Sequence, residues 1–228
     1  MAIITVARQL GSGGDLIASR VAEVLDYELV DRRLVEEISS ITDTTSEEVE
    51  KFDEKGEGRI RYFLKRLLVP EVSPGGFPLS SAAYFPEFGL EFPYVMDRES
   101  NEPPSFLDRG TYQLLITTVL REYGQGGNVV IVGRASQAIL GDQSDAVHLK
   151  IVAPLEVRCE RIMKAEEVDL KSARELAHEH DRWRQLYLRN YHKLDWDDPL
   201  LYHLTINTGK LDVAAAADLV VRCVEQRS

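Results

Sequence analysis

The sequence predicts an α/β fold built on a parallel sheet covered on both faces. Two observations predict it. Segments of strand character alternate with helical repeats through most of the chain, and the first strand passes into the first helix through a glycine-rich turn. A chain of 228 residues with 44% hydrophobic content can bury one good core and carry a smaller lobe on it. One domain with an insertion is the economical arrangement.

Ile3, Ile4 and Val6 suit a buried strand, and Ile17, Val21, Val24 and Leu25 recur at helical spacing behind Gly11, Gly13 and Gly14. Glycine admits positive φ and close approach of a ligand, and the first turn of a helix offers unpaired N–H groups at a positive dipole end. That geometry suits a phosphate, although a tight connection alone would ask for the same glycines. Against the G-x-x-x-x-G-K-[ST] pattern, Gly14 stands in the place of the lysine and Asp15 in that of the hydroxyl residue. Asp15 is then either a magnesium ligand, directly or through water, or a first-turn acid favoured by the helix dipole.

Tyr27 to Val30 reads as a second strand, and Asp31 can cap a helix beginning Arg32-Arg33, a pair that either meets a ligand at the sheet's carboxyl edge or is solvated surface. Thr45-Ser46-Glu47-Glu48 has capping-box spacing. Arg59 to Leu68 forms an amphipathic pattern with Arg59, Arg61, Lys65 and Arg66 around it, either an acceptor-binding helix or an ordinary surface one. From Pro70 to Pro104 proline, glycine and aromatics replace periodicity. Phe77, Tyr84, Phe85, Phe88, Phe92 and Tyr94 argue against simple disorder, and either cover the site, pack between subunits or fill a small separate core. Phe106 to Tyr123 reads as a helix with Leu107, Leu114, Leu115, Thr118 and Val119 inward, ended by Gly124, Gly126 and Gly127.

Val129 to Val132 is an apolar strand followed by Gly133-Arg134 and a short helix to Leu140. A charge directly beyond a buried strand is held in place by the core, and the dipole disfavours a cation at a helix start unless something else asks for it. Val147 to Val152 gives a fourth strand. Pro154 opens a helix with Leu155, Cys159, Ile162 and Met163 inward and Arg158 and Arg161 on a neighbouring face. A long helix starts near Leu170, on which Arg182 and Arg189, two turns apart, share a face while Arg184 points elsewhere. Leu201 to Asn207 is a fifth strand, and Val213, Ala216, Ala217, Val220 and Val224 face inward on a closing helix.

The formal charge of −11 excludes a general affinity for nucleic acid polymers, so an anionic ligand would need a local arginine cluster. No apolar run approaches the ~20 residues a membrane helix needs, and the start of the chain lacks a secretory pattern, so a cytoplasmic protein is expected. Cys159 and Cys223 have no partner spacing and read as core thiols.

Taken together, ITVARQLGSGGDLIA with YELVDRR, then VVIVGRAS, then APLEVRCERIM and DRWRQLYLRNYHKLDWDDPLLYHLTINT resemble the cytidylate kinase-like family of nucleoside monophosphate kinases. The resemblance covers residues 1 to 60 and 105 to 228, and it implies a P-loop NTPase-like three-layer α/β/α fold with a five-stranded parallel sheet. It implies a single domain whose core is 1–31, 126–163 and 195–228, with an acceptor-binding insertion over about 32–125 and an arginine-bearing lid over about 164–194.

Carried over by position, the resemblance places Gly11, Ser12, Gly13, Gly14 and Asp15 on the loop that cradles the phosphates of ATP, with Asp15 as the candidate Mg2+ ligand. Asp31 and Arg32 fall where the acceptor region begins. Arg134 matches the arginine of an Asp-Gly-Arg-Asp segment that contacts the acceptor phosphate, with Val132 and Ala135 replacing its aspartates. Arg158, Arg161, Arg182 and Arg184 match pre-lid and lid arginines, and Arg189 fits more loosely.

The loop lysine and the acidic residue after the third strand are absent, and Arg8 is the candidate to supply the missing charge. The implied reaction moves the γ-phosphoryl group of Mg-ATP to CMP or dCMP. Such an acceptor is already anionic, so alignment and charge neutralisation suffice without a base. A nucleotide-binding module without turnover and a kinase of a small metabolite are the alternatives. The implied partners are small nucleotides, with a homodimer through the aromatic insertion as an expectation.

Overall fold

The computed structural model of the chain describes residues 2–31 and 109–227. Arg32, the expected helices near Thr45 and Arg59, and the aromatic stretch with its dimer expectation lie outside them. The chain separates into two compact units, residues 1–31 with 120–228, and residues 32–119.

The first unit holds a five-stranded sheet. Strands β1 (Ile3–Arg8), β2 (Glu28–Val30), β3 (Val129–Val132), β4 (Ala146–Val152) and β5 (Leu204–Asn207) lie in the order β2-β3-β1-β4-β5, every neighbouring pair parallel. Parallel strands joined by helical crossovers are covered on both faces, which is why β1, β3 and β4 read as continuous apolar runs. In the central strand β1, Ile3, Ile4 and Thr5 are wholly buried.

Helices α1 (Gly14–Leu25), α2 (Arg109–Gly126), α3 (Ser136–Ile139), α4 (Leu155–Glu166), α5 (Leu170–Tyr187) and α6 (Val213–Glu225) supply the outer layers. On one face Ile4, Val6, Val132, Leu149 and Ile151 meet Ile17 and Val21 of α1 and Ala217 and Val220 of α6. Full burial stabilises by about 1.5–3 kcal/mol for each such large aliphatic side chain. On the other face α2 comes so close that a Cβ on Gly124 would lie 3.0 Å from Leu140 and 3.6 Å from Ile3. The interior there turns polar along β4. The His148 Nδ1 is hydrogen-bonded to Thr5 Oγ1 at 2.8 Å, and the buried Lys150 Nζ donates to Trp196 O at 2.7 Å and Asp197 Oδ1 at 2.6 Å. Lys150 also lies 4.4 Å from the centre of the Trp196 ring, so its charge is paired and cushioned rather than stranded.

Two helix faces differ from their sequence reading. Val24 is exposed, because Ala18 and Ala22 are buried beside Ile17 and Val21 and rotate the inward stripe of α1 away from it. In α2 Val119 is buried as expected, but with Ile116, Leu120 and Tyr123, while Thr118 is half-buried and the helix runs on through Gly124 to Gly126. Beyond α5 the chain passes into a π-helical turn, Leu188–His192. The 3.6-residue turn that gives Arg182 and Arg189 a shared face holds to Tyr187, and both residues are exposed.

Candidate functional site

All five strands run the same way, and their carboxyl ends open onto one edge of the sheet. Asp31 follows β2, Gly133-Arg134 follow β3, Gln9 to Gly13 follow β1, and Thr208 follows β5. This is the edge at which open parallel sheets bind ligands.

The loop after β1 is shaped by its glycines. Gly11 and Gly13 have φ of 75° and 80°, and a Cβ on Gly11 would stand 2.7 Å from the Arg158 carbonyl oxygen. Gly13 is the N-terminal residue flanking α1, and no side chain caps that helix among the described residues. Its first-turn amides have no acceptor inside the helix, so they stay directed at the edge, with the positive end of the dipole behind them. The Ser12 amide and hydroxyl both donate to Gln9 O, at 3.1 and 2.7 Å, which closes the loop on itself. Gln9 in turn accepts the Ala153 N–H at 3.1 Å through Oε1, tying the loop to the end of β4.

Arginines from distant segments surround this loop. The Arg158 guanidinium, which is buried, donates through Nη1 to Leu10 O at 3.3 Å and to Asp181 Oδ2 at 2.6 Å. Asp181 Oδ1 accepts the Leu10 N–H at 3.2 Å and a 3.4 Å contact from Arg184 Nη1. Arg161 donates to Gly11 O at 3.2 Å, to Thr208 Oγ1 at 2.9 Å and to Thr208 O at 3.1 Å. The Thr208 hydroxyl donates to Ser12 O at 2.6 Å. Arg158 and Arg161 thus grip carbonyls of the loop, and Asp181 and Thr208 complete the grip. Neither Asp181 nor Thr208 was singled out by sequence, where an aspartate inside a helical pattern and a threonine after a strand look ordinary.

Arg8 lies on the opposite side of the loop. Its side chain, 18% exposed, runs over Gly14, with Nε donating to Asp15 Oδ1 at 3.2 Å. Asp15 is 70% exposed, free to meet solvent ions on the side away from Arg8. The end of the Arg8 guanidinium reaches Gly133, so it touches the turn that carries Arg134. Arg134 and Ala135 both have left-handed φ, 57° and 52°. Two successive non-glycine residues there cost about 1–2 kcal/mol each. Strain of this kind concentrates at functional sites.

The structure therefore gathers Arg8, Gly11 to Asp15, Arg158, Arg161 and Arg184 around one loop, with Arg134 on the adjoining turn. Around the loop, Arg8, Arg158, Arg161 and Arg184 outnumber Asp15 and Asp181 among the described residues. A locally cationic loop in a chain of net charge −11 is a site for an anion. Arg182 is exposed on α5 and makes no ion pair among the described residues. Asp31 is half-buried at the end of β2, and Arg32 lies outside the described residues.

The site fits a polyphosphate, with first-turn amides at one end and guanidinium groups beside them. Asp15 is the exposed carboxylate of this loop, and among the described residues no cluster of three metal-ligating side chains exists. No helix of the described residues is long and apolar enough to cross a membrane.

The profile of the cytidylate kinase-like family matches residues 3–210. A cytidylate kinase of Methanocaldococcus jannaschii is 33% identical over 106 residues, 46% of this chain and 60% of that one. A cytidylate kinase of Staphylothermus marinus is 28% identical over 100 residues, 44% of this chain and 56% of that one. The matched stretch thus spans somewhat over half the length of these relatives. An uncharacterized protein from Eubacterium ventriosum shares the fold, with a TM-score of 0.65 at 20% identity over 99% of both chains.

Proposed function

The chain belongs to the cytidylate kinase-like family, and from that premise we propose that it moves the γ-phosphoryl group of Mg-ATP to a nucleoside monophosphate, with CMP or dCMP as the first candidates. The observation that carries this reading is the cationic loop between β1 and α1, gripped by Arg158 and Arg161 and faced by Arg8. The cytidylate kinases of Methanocaldococcus jannaschii and Staphylothermus marinus to which the chain is similar favour the acceptor class.

In this reading the amides of Gly13, Gly14 and Asp15 bind the donor phosphates, and Arg8 neutralises charge on the transferring group. Magnesium, held by Asp15 and the nucleotide, supplies further neutralisation of the phosphate oxygens when bound. Arg134 holds the acceptor phosphate, beside Asp31 and Arg32 on the acceptor side. Arg182 and Arg184 belong to a lid over about 164–194 that closes on the phosphates and excludes water, which suppresses hydrolysis. Arg158 and Arg161 contribute positive potential from beneath the loop while fixing its shape.

Purified chain with Mg-ATP and a panel of nucleoside monophosphates tests the proposal. Expected is ADP formation that depends on the monophosphate, fastest with CMP or dCMP. ATP binding without ADP formation would make the chain a binding module instead. Slow basal hydrolysis unaffected by every monophosphate would point to a small-metabolite acceptor.

A further inference from the structure

The G-x-x-x-x-G-K pattern places its first glycine at position 8 and its lysine at position 14, and this chain has Arg8 and Gly14 there. The two departures are one rearrangement in space. A Cβ on Gly14 would stand 2.5 Å from the Arg8 Cβ and 3.0 Å from its Cγ, so the Arg8 stem fills the room in which a side chain at 14 would begin. Gly133, at φ 77°, turns the chain at the close of β3, and a Cβ there would stand 2.5 Å from Arg8 Nη1, so the guanidinium end lies against this turn. Asp15 fixes the middle of the side chain through Nε at 3.2 Å.

We propose that residues 8 and 14 have exchanged roles: Arg8 delivers from the end of β1 the cation that a phosphate loop ordinarily carries at 14, and Gly14 is the glycine that this route requires. The inference rests on the phosphate-binding reading of the loop and adds to it which residue holds the charge and why 14 lacks a side chain. It also separates this chain's cation from an ordinary loop lysine. Its far end lies against the turn bearing Arg134, between the donor loop and the expected acceptor side.

The test is reciprocal exchange. Arg8→Gly removes the cation, Gly14→Lys drives a second side chain into the Arg8 stem, and the double variant restores G-x-x-x-x-G-K in full. Mg-ATP affinity is read by calorimetry and by the shift in melting temperature at saturating nucleotide, with pyrophosphate as a second probe and circular dichroism to confirm folding. Losing one charge-assisted phosphate contact weakens binding by about 10- to 100-fold. Each single variant is expected to lose that much and the double variant to regain most of it.

Wild-type affinity in Arg8→Gly overturns the exchange, as does a folded double variant that binds no better than the weaker single one. If Gly14→Lys fails to fold, the comparison of Arg8→Gly with the double variant still decides. Wild-type protein that binds ATP but phosphorylates no monophosphate overturns the proposed reaction and leaves the exchange standing. Wild-type protein that binds neither ATP nor pyrophosphate overturns both.

Discussion

Asp181, on the helix expected to form the lid, accepts the main-chain N–H of Leu10 in the phosphate loop at 3.2 Å, across 171 residues of sequence. The same carboxylate holds Arg158 at 2.6 Å, with both side chains largely buried, so loop, α4 and α5 are fastened through one acidic group. The closed contact between α5 and the loop is therefore made by a carboxylate, in a place surrounded by guanidinium groups.

Asp181→Ala leaves Arg158 a buried charge without its partner. Breaking a buried pair in this way costs about 3–5 kcal/mol. Urea unfolding at neutral pH should show a loss of about that size, with Mg-ATP affinity falling as well because Leu10 is released. Asp181→Asn, which keeps the acceptor for Leu10 but not the charge, should lose less. Equal losses in the two variants would mean that the bond to Leu10 adds nothing beyond the charge on Asp181.

Thr208 is buried, and its hydroxyl both donates to Ser12 O at 2.6 Å and accepts from Arg161 at 2.9 Å. Thr208→Val keeps the shape and removes both bonds. One of them is charge-assisted, so about 2 kcal/mol of stability should go. The loop then loses its tie to β5, and the Kd for Mg-ATP should rise. Thr208→Ser keeps the hydroxyl and should sit near wild type, so a Ser variant as damaged as the Val one would sink the hydrogen-bond account.

Arg134 separates donor from acceptor. Arg134→Ala should raise the KM for the monophosphate by an order of magnitude or more, since one charge-assisted contact is worth about 1.5–3 kcal/mol. The melting-temperature shift produced by Mg-ATP alone should stay as in wild type. A variant that loses the ATP shift but not acceptor affinity would put Arg134 on the donor side.

How much of this was legible in the sequence depended on the range of the signal. The parallel sheet was readable because β1, β3 and β4 are apolar throughout, and the loop because Gly11 and Gly13 need φ that other residues avoid. These are local demands that leave a local mark. Arg158 and Arg161 stood out as a basic pair three apart, but what they touch did not, because Leu10 O and Gly11 O are about 150 residues away in the chain. Asp181 and Thr208 were missed for the same reason: a polar residue whose partner is distant has no periodicity. Gly14 looked like a missing lysine, and only the coordinates put the Arg8 stem in its place.

The acid response should come from the second face of the sheet. His148 is buried, packed 5.2 Å from the His203 ring and hydrogen-bonded to Thr5. Burial foremost, then His203 and Arg227, hold its imidazole down to about 4. His203 is lowered too, by burial and Arg227, and its Nδ1 accepts the His148 main-chain N–H at 2.9 Å, a bond that requires an unprotonated nitrogen. The unfolded chain binds a proton on such a histidine near pH 6.5, while the folded chain resists until about 4, so unfolding takes up protons in that window. Stability from this group is complete above about pH 6.5 and is lost as pH falls toward 4. Other groups also take up protons as unfolding proceeds in acid, so the informative quantity is a difference. His148→Gln, which cannot be protonated, should show a shallower fall in unfolding free energy between pH 6.5 and 4.5 than wild type. Parallel curves would show that His148 takes no part in the acid response.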